Sequence, residues 1–321
     1  MSIDALRAIQ SLLPDAELVE FDAPIDDGYA GAYNEQPCTA VADLVEGRRM
    51  RAHRIEGEPE VRFAGFLDGI QRARIRFHQR GVPIIEGTVA AVIRVRLNRR
   101  HVTWGRRTPI VSRKLYMPLS LLSCGQCSEL GGTAIVDTSF DEKTGDLVNR
   151  HPAALRAVAF ARIGRDRDEA ERTLAELWCE ERTDAEPLLI DGGISGSERV
   201  SSSSCAIGVI KSHTKLYADG EALDVVMSLK NGERSSVFAP PAQRRNPVIS
   251  WYLRLHDPRG HDAMFGLVRI EASMGGDVAP RANDISRWVL AERTPNAMPD
   301  NRWDRMSYGI RDCEQFLRSI A

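Results

Sequence analysis

Two short apolar segments of this chain each end in Asp-Gly, and this repeated pattern constrains the fold more than any other feature. Residues 63–67 lead into Asp68, and residues 188–190 lead into Asp191. An apolar run of this length, bounded by turn residues, is typical of a strand that is buried on both faces. A carboxylate at the end of such a strand is costly unless a cation or a donor meets it. The pattern therefore predicts two carboxylates that converge on one point.

Two further charged residues are predicted near that point. A second apolar run, 206–210, delivers Lys211 to the same neighbourhood. A long helical segment, 151–181, carries Glu171 at the edge of its apolar stripe, just before the Asp191 strand. Glu171 is a candidate third carboxylate of the site, and the alternative is an ordinary helical glutamate whose carboxylate reaches water. For Lys211 the alternative is a structural ion pair with Asp191.

The chain divides into an N-terminal arm and a larger second part. Residues 1–60 combine one amphipathic helix with a polar, acidic stretch, which favours a helical or irregular arm for oligomerisation or partner contact. Residues 61–321 begin with a predicted meander of three antiparallel strands, over 61–68, 87–98 and 101–106. A C-terminal helix over 308–320 has Glu314 beside its apolar face.

Composition excludes few classes of protein. The chain has 321 residues, 43% of them hydrophobic and 27% charged, and a net charge of −2, so bulk charge gives no sign of a nucleic-acid partner. No apolar run reaches the roughly 20 residues that span a bilayer, and a cytoplasmic location with no membrane contact is expected. The six cysteines are expected to be reduced thiols, and the lone CGQC sequence at Cys124 and Cys127 is weak evidence for a metal or redox site.

The order of elements is that of an α/β protein with a ribonuclease H-like mixed sheet flanked by helices. Three antiparallel strands are followed by a helix, by a strand that ends in Asp, and by further α and β elements. In that fold, clustered carboxylates hold two divalent ions, because hard anionic oxygens repel one another in a desolvated site unless a cation neutralises them. Two such ions activate water and stabilise the leaving oxygen in phosphodiester cleavage.

At this level of detail the chain resembles the NurA nuclease family. The motifs that carry the resemblance are residues 66–69, which include Asp68, then Glu171, residues 189–192, which include Asp191, and residues 208–212, which include Lys211. A looser match continues through Arg234, residues 251–255 and residues 269–271. The resemblance covers about residue 61 to the C-terminus, and the order and spacing of its short motifs carry it.

The resemblance implies a metal-dependent deoxyribonuclease that trims DNA ends, uses Mn²⁺ or Mg²⁺ and forms a homodimer. It also implies docking on a hexameric HerA-type ATPase, in DNA repair or antiphage defence. Asp68 and Asp191 would hold the metals, with Glu171 completing the ligand set and Lys211 contacting the scissile phosphate. The family's C-terminal helix supplies a His that is missing here, and Glu314 is the candidate replacement.

Three other residues are assigned with simpler alternatives beside them. Arg234 is a candidate contact to the DNA backbone, and the alternative is a solvated loop arginine. Tyr308 is a candidate substrate contact, although an aromatic residue in that position is more often part of a core or an interface. Asp137, also at a predicted strand end, is a competing metal ligand.

Two other functions remain open. The first is a non-catalytic adaptor that keeps the fold and binds DNA or the ATPase, which the missing His favours and the two Asp-Gly strand ends oppose. The second is a sugar or acyl kinase, since residues 192–196 (GGISG) resemble a phosphate-binding loop. A coil rich in serine follows this loop where a kinase needs a clear helix.

Overall fold

The computed structural model describes residues 3–19, 37–98, 100–105, 109–122, 128–141, 144–241, 245–294 and 303–321. The helices are α1 Ile3–Leu12, α2 Leu119–Leu122, α3 Pro152–Glu181, α4 Glu198–Ser202, α5 Gly220–Met227, α6 Val278–Glu292 and α7 Tyr308–Ile320, with a 3-10 turn at Trp303–Arg305. The strands are β1 Glu17–Leu18, β2 Cys38–Thr39, β3 Asp43–Leu44, β4 Ala52–Arg54, β5 Gly65–Gln79, β6 Val82–Leu97, β7 Arg100–Thr103, β8 Ile110–Met117, β9 Glu129–Leu130, β10 Thr133–Asp137, β11 Leu188–Asp191, β12 Ala206–Ile210, β13 Lys215–Leu216, β14 Glu233–Ser235, β15 Phe238–Ala239, β16 Ile249–Arg254 and β17 Leu267–Ala272. Within this part of the chain, no helix is both long enough and apolar enough to cross a bilayer.

One large mixed sheet organises the protein. Its central strands run in the order β8-β6-β5-β11-β12-β17-β16. Strands β5, β6 and β8 are antiparallel to their neighbours, whereas β11 is parallel to both β5 and β12. The chain is therefore a mixed α/β protein with a meander on one side of the sheet and parallel strands at its centre.

Helices cover both faces of this sheet. Because side chains alternate along a strand, β5 sends Leu67 to one face and Phe66 to the other. Leu67 belongs to an apolar cluster with Ile163 and Trp178 of α3. Phe66 belongs to a second cluster, which contains Ile285 of α6 and the buried side of α7. The two faces are called the α3 face and the α7 face below.

The first strand of the meander differs from the prediction. Strand β5 does not end at Asp68 but continues to Gln79, so the arginine-rich segment that follows Asp68 is strand and not a turn. The reversal comes at Arg80 and Gly81, whose positive φ angles of 49° and 82° are those of a type I′ hairpin turn. The third strand is interrupted, because β7 and β8 pair successively with the same edge of β6.

Several predicted elements have the expected bounds. Helix α3 begins after His151, whose Nδ1 accepts a hydrogen bond from the N–H of Ala153, and Pro152 occupies the first helical turn. Strands β11 and β12 and helix α7 also match the sequence pattern. In α7 the predicted inward position of Ile320 is wrong, since this residue is 39% exposed.

The first sixty residues contribute to the same sheet. Strand β1 pairs with β5, β3 pairs with β15, and β4 pairs with β14. In α1 the side chain of Ile9 is buried against the sheet, whereas Ile3 is exposed. The predicted domain boundary at residue 60 stays a prediction.

The close approach of α7 to the sheet leads to a first testable prediction. A Cβ added at Gly309 would overlap the ring of Phe66, which is fully buried. We expect Gly309→Ala to lower the free energy of unfolding by about 1–3 kcal/mol, although alanine is the better helix former. Urea denaturation measures this change. Gly196→Ala is the control, since a Cβ there meets no atom within 4 Å, and an equal loss in both variants would contradict the prediction.

Candidate active site

Asp68 and Asp191 lie side by side at the centre of the sheet. The parallel register pairs Leu67 of β5 with Ile190 of β11, so the two aspartates occupy the next position on adjacent strands. Neighbouring strands are about 4.8 Å apart, which sets the separation of the two backbones. By alternation along each strand, both carboxylates project towards the α7 face, beside the apolar cluster that contains Phe66 and Leu189.

The carboxylate of Asp68 is buried without a cation in direct contact. Only 8% of the residue is exposed, and its Oδ1 accepts a hydrogen bond from the N–H of Gly69 at 2.8 Å. Burial, together with the charge of Asp191, raises the pKa of Asp68 to about 8, against the opposing effect of Lys211. A carboxyl group in this state favours either protonation or a bound cation.

Asp191 is the partner of Lys211, as one of the sequence alternatives proposed. The Lys211 Nζ donates a hydrogen bond of 2.8 Å to Asp191 Oδ2 and lies 3.8 Å from the sulfur of Met306. Strands β11 and β12 are parallel neighbours, so the residues that follow them leave the sheet at the same edge. The carboxylate pair therefore has one ammonium group beside it.

Glu171 approaches the pair from the opposite face of the sheet. Its carboxylate packs on Gly69, where any Cβ would overlap Oε1. Burial raises the pKa of Glu171 to about 8, while Arg167, whose Nε is 3.6 Å from Oε1, acts in the opposite direction. Asp68 and Asp191 also raise this pKa, which shows that the three carboxylates interact across the strand.

Glu314 lies on α7, on the same face as Asp68. Its charge contributes to the raised pKa of Asp68, although less than the charge of Asp191 does. Its Oε1 accepts a hydrogen bond from Arg318, one turn later in the helix. The structure thus brings Asp68, Asp191, Lys211 and Glu314 to one face, and Glu171 to the other.

The loop after Asp191 is held by a residue that the sequence analysis did not assign. Glu271 of β17 is buried, and its Oε2 accepts a hydrogen bond of 2.9 Å from the N–H of Ile194. Its Oε1 accepts one of 2.7 Å from Arg269. Gly192 has a φ of 132°, which favours glycine, and a Cβ at Gly193 would come within 2.8 Å of Glu271. A charged residue within the apolar run of β17 was the signal in the sequence.

A cavity of about 620 Å³ opens between α3 and this loop. Both Glu171 and Asp191 line it, and its walls include the backbone of residues 192–197. Five arginines also line it: Arg162, Arg165, Arg167, Arg172 and Arg245. Arg162, Arg165 and Arg172 lie at helical spacing on one side of α3, a pattern that could have been recognised in the sequence. The cavity combines acidic groups at one end with guanidinium groups that suit phosphate.

Arg234 is engaged elsewhere. The residue is 1% exposed, and its guanidinium donates two hydrogen bonds to Glu46, one to Asn283 and others to the carbonyls of Ser235 and Ala279. These contacts use the hydrogen-bonding capacity of the group. In this state Arg234 has no free donor for a DNA phosphate, and it is not a solvated loop arginine either.

The remaining candidates lie apart from the carboxylate pair or outside the described residues. Tyr308 begins α7 and is half exposed. Asp137 ends β10, three strands from β5, where its Oδ1 accepts hydrogen bonds from the N–H groups of Leu119 and Ser139. Cys124 and Cys127 lie outside the described residues.

The donor chemistry of the site fits a hard divalent cation. Among the described residues, no three His, Cys, Asp or Glu side chains form a group that could hold a metal ion. Mg²⁺, however, is usually held by one or two carboxylates, with waters and substrate phosphates in the other positions. The buried pair of Asp68 and Asp191 supplies those two carboxylates, and their raised proton affinity shows the need for a counter-charge.

Comparison with known proteins gives one distant structural similarity. No protein-family model matches the chain. No curated protein sequence matches it either. Among solved structures, the chain is similar to the crystal structure of the NurA nuclease from Sulfolobus solfataricus, with a TM-score of 0.43 and 9% sequence identity over 86% of this chain and 81% of that chain. At this distance the similarity does not identify an activity.

Proposed function

We propose that this protein is a metal-dependent nuclease that hydrolyses DNA phosphodiester bonds with an active site built on Asp68 and Asp191. The observation that carries the proposal is the adjacent placement of these two buried carboxylates on parallel strands. Buried like charges are costly, and they are maintained in functional sites more often than in purely structural positions. The arginine-lined cavity beside them supports a phosphate-containing substrate.

The strand order supports a ribonuclease H-like fold for the proposed nuclease. The order β8-β6-β5-β11-β12 has three antiparallel strands followed by two strands parallel to the first of them. That order is the layout expected from the sequence, with one aspartate on the first strand and one on the fourth. The assignment to the ribonuclease H-like fold is part of the proposal.

In the proposed site, Asp68 and Asp191 hold the divalent ion, with Glu314 on the same face as a further candidate ligand. A bound Mg²⁺ or Mn²⁺ would activate water and neutralise charge on the phosphate. Lys211 orients Asp191 through their 2.8 Å hydrogen bond. Glu171 acts from the cavity side of the sheet, and the arginines of α3 bind the DNA backbone. A second ion remains part of the sequence-based expectation.

The partners expected from the resemblance are proposals of the same kind. They are DNA, a second copy of this chain and a hexameric HerA-type ATPase, in a cytoplasmic role in repair or defence. Helix α1 was considered for the dimer contact, and its exposed Ile3 is available for one. Size measurement in solution, with and without the ATPase, tests the assembly separately from the chemistry.

The function is tested by incubating linear DNA with the protein in Mn²⁺, Mg²⁺ or EDTA. We expect degradation only with a divalent ion, and its loss in Asp191→Asn. Asp137→Asn is the matched control, because Asp137 also ends a strand but lies three strands from β5. If the folded wild type stays inactive with either metal, alone and with the cognate ATPase, the proposed nuclease function is wrong.

A second candidate function is a non-catalytic module that binds DNA or the ATPase. The observation in its favour is that Asp191 and Glu171 already have cationic neighbours, Lys211 and Arg167, while the described residues contain no three-ligand metal group. Titration of Mn²⁺ into the protein separates the two functions. A nuclease binds the ion through Asp68 and Asp191, whereas an adaptor shows no difference between the wild type and Asp191→Asn.

A further inference from the structure

Two thiols from separate parts of the chain lie side by side at the end of α3. The Sγ atoms of Cys179 and Cys205 are 3.9 Å apart, and both cysteines are free. Cys179 is half-buried near the C-terminus of α3, whereas Cys205 is buried immediately before β12. The hydroxyl of Ser203 lies 3.1 Å from the sulfur of Cys205. The nuclease function proposed above does not use either thiol.

The backbone on both sides of this thiol pair is held by other contacts. The N–H of Leu188 donates a hydrogen bond of 2.8 Å to the carbonyl of Cys205. The hydroxyl of Ser197 donates one of 2.6 Å to Glu176 of α3, and Arg199 forms an ion pair with Glu180. The thiols therefore face each other from ordered elements. A disulfide needs the sulfurs to approach to about 2.05 Å, a closure of about 2 Å.

We propose that Cys179 and Cys205 are a modification site at which a peroxide forms a reversible intramolecular disulfide. One thiolate attacks the peroxide, the O–O bond breaks, and the leaving hydroxide takes up a proton to become water. The resulting sulfenic acid is attacked by the second sulfur, the S–O bond breaks, and a second water leaves. Two thiols and one hydrogen peroxide thus become one disulfide and two waters.

The local environment favours thiolate formation in this pair. The hydrogen bond from the Cys179 thiol lowers the pKa of Cys205 to about 7, against the opposing effect of burial, and Ser203 acts in the same direction as the hydrogen bond. The same hydrogen bond raises the pKa of Cys179. Because the thiolate is the form that attacks peroxide, the pair is more reactive than an isolated buried cysteine.

The disulfide would close a loop around the candidate active site. Residues 179–205 include β11, Asp191 and the loop that borders the cavity. A crosslink of this kind restricts the unfolded chain and stabilises the folded one. We expect oxidation to raise the melting temperature by about 5 °C. This effect does not depend on nuclease activity, so it can be tested even if the proposed function fails.

The experiment treats the native full-length protein with hydrogen peroxide, blocks free thiols with N-ethylmaleimide and maps tryptic peptides without reduction. Cys179 falls in peptide 173–182 and Cys205 in peptide 200–211, each as the single cysteine. We expect these two peptides to be joined, and the joined species to disappear with dithiothreitol. Cys205→Ser and Cys179→Ser should each remove the link and the rise in melting temperature, whereas Cys38→Ser should keep both.

The chain contains its own competitor for this reaction. Cys124 and Cys127 both fall in peptide 115–143, so a disulfide between them is recognised by its mass. The proposal is overturned if peroxide oxidises only that peptide, or if Cys179 and Cys205 accumulate sulfinic acid without being joined. It is also overturned if oxidation stabilises Cys205→Ser as much as the wild type.

Discussion

Replacement of Asp68 by asparagine is expected to stabilise the metal-free protein at pH 8 and to abolish its proposed nuclease activity. The stabilisation follows from the pKa of Asp68, which burial and Asp191 raise from 3.8 to about 8 in the folded protein. Between these two values the unfolded chain ionises while the folded protein keeps the proton, so the contribution of this group to stability falls as pH rises. Asparagine keeps the shape of the side chain without this loss.

The size of the effect is substantial. One pKa unit corresponds to about 1.4 kcal/mol, and even a partial effect of about 2 kcal/mol would raise the melting temperature by roughly 4–8 °C at this chain length. The difference between variant and wild type should be largest at pH 8 and small near pH 4, which thermal melts across that range measure. The loss of a charge at the reacting phosphate should lower kcat by about 10²–10³-fold or more.

A divalent cation should reverse the order of stability. Mn²⁺ is expected to raise the melting temperature of the wild type and to leave Asp68→Asn unchanged, because the variant lacks one of the two proposed ligands. Asp168→Asn is the control, since Asp168 is an exposed carboxylate on α3 near the same cavity. If Asp68→Asn melts below the wild type at pH 8, or keeps its activity, the assignment of Asp68 is wrong.

Replacement of Arg234 by methionine is expected to destabilise the protein strongly and to leave its affinity for DNA unchanged. The guanidinium is buried and forms a two-point contact with Glu46, whose carboxylate is only 13% exposed. Removing one partner of a buried pair leaves the other charge uncompensated, at a cost of about 3–5 kcal/mol. Arg234 also lowers the pKa of Glu46, against the effect of burial, so the carboxylate depends on this partner.

The measurement combines urea denaturation with DNA binding at a temperature at which the variant is folded. Replacing both partners, in Arg234→Met with Glu46→Leu, should recover part of the lost stability, because no charge is then left unpaired. Arg172→Met is the contrasting variant, since Arg172 lines the cavity and is exposed. It should keep its stability, bind DNA more weakly and show a shallower salt dependence. Normal stability with lost DNA binding in Arg234→Met would return Arg234 to the site.

Local sequence patterns were sufficient for the elements that face a core on one or both sides. The apolar run before Asp191, the run before Lys211 and the helical periodicities of α3 and α7 predicted elements with nearly the observed bounds. The parallel pairing of β11 with β5 then places Asp68 beside Asp191, as the two Asp-Gly ends predicted. These features depend on burial period and chain order, which a sequence displays directly.

Other features depended on contacts between distant residues. The Asp-Gly at Asp68 resembles a strand end, yet β5 continues through it, and its glycine makes room for the Glu171 carboxylate. Arg234 resembles a phosphate contact until its partner, 188 residues away in sequence, is known. No local pattern distinguishes a buried ion pair from an exposed arginine, because both have the same side chain in the same kind of strand.

By itself, then, the sequence determined the buried strands, the amphipathic helices and the two carboxylates that meet at the centre of the sheet. Only the tertiary structure decided which face each charge occupies, with Asp68 on the side of α7 and Glu171 on the side of α3. It also decided which arginines surround the cavity and which cysteines lie side by side. The physical reason is that burial follows from a local period, whereas the partner of a buried polar group depends on elements that meet only when the whole chain has folded.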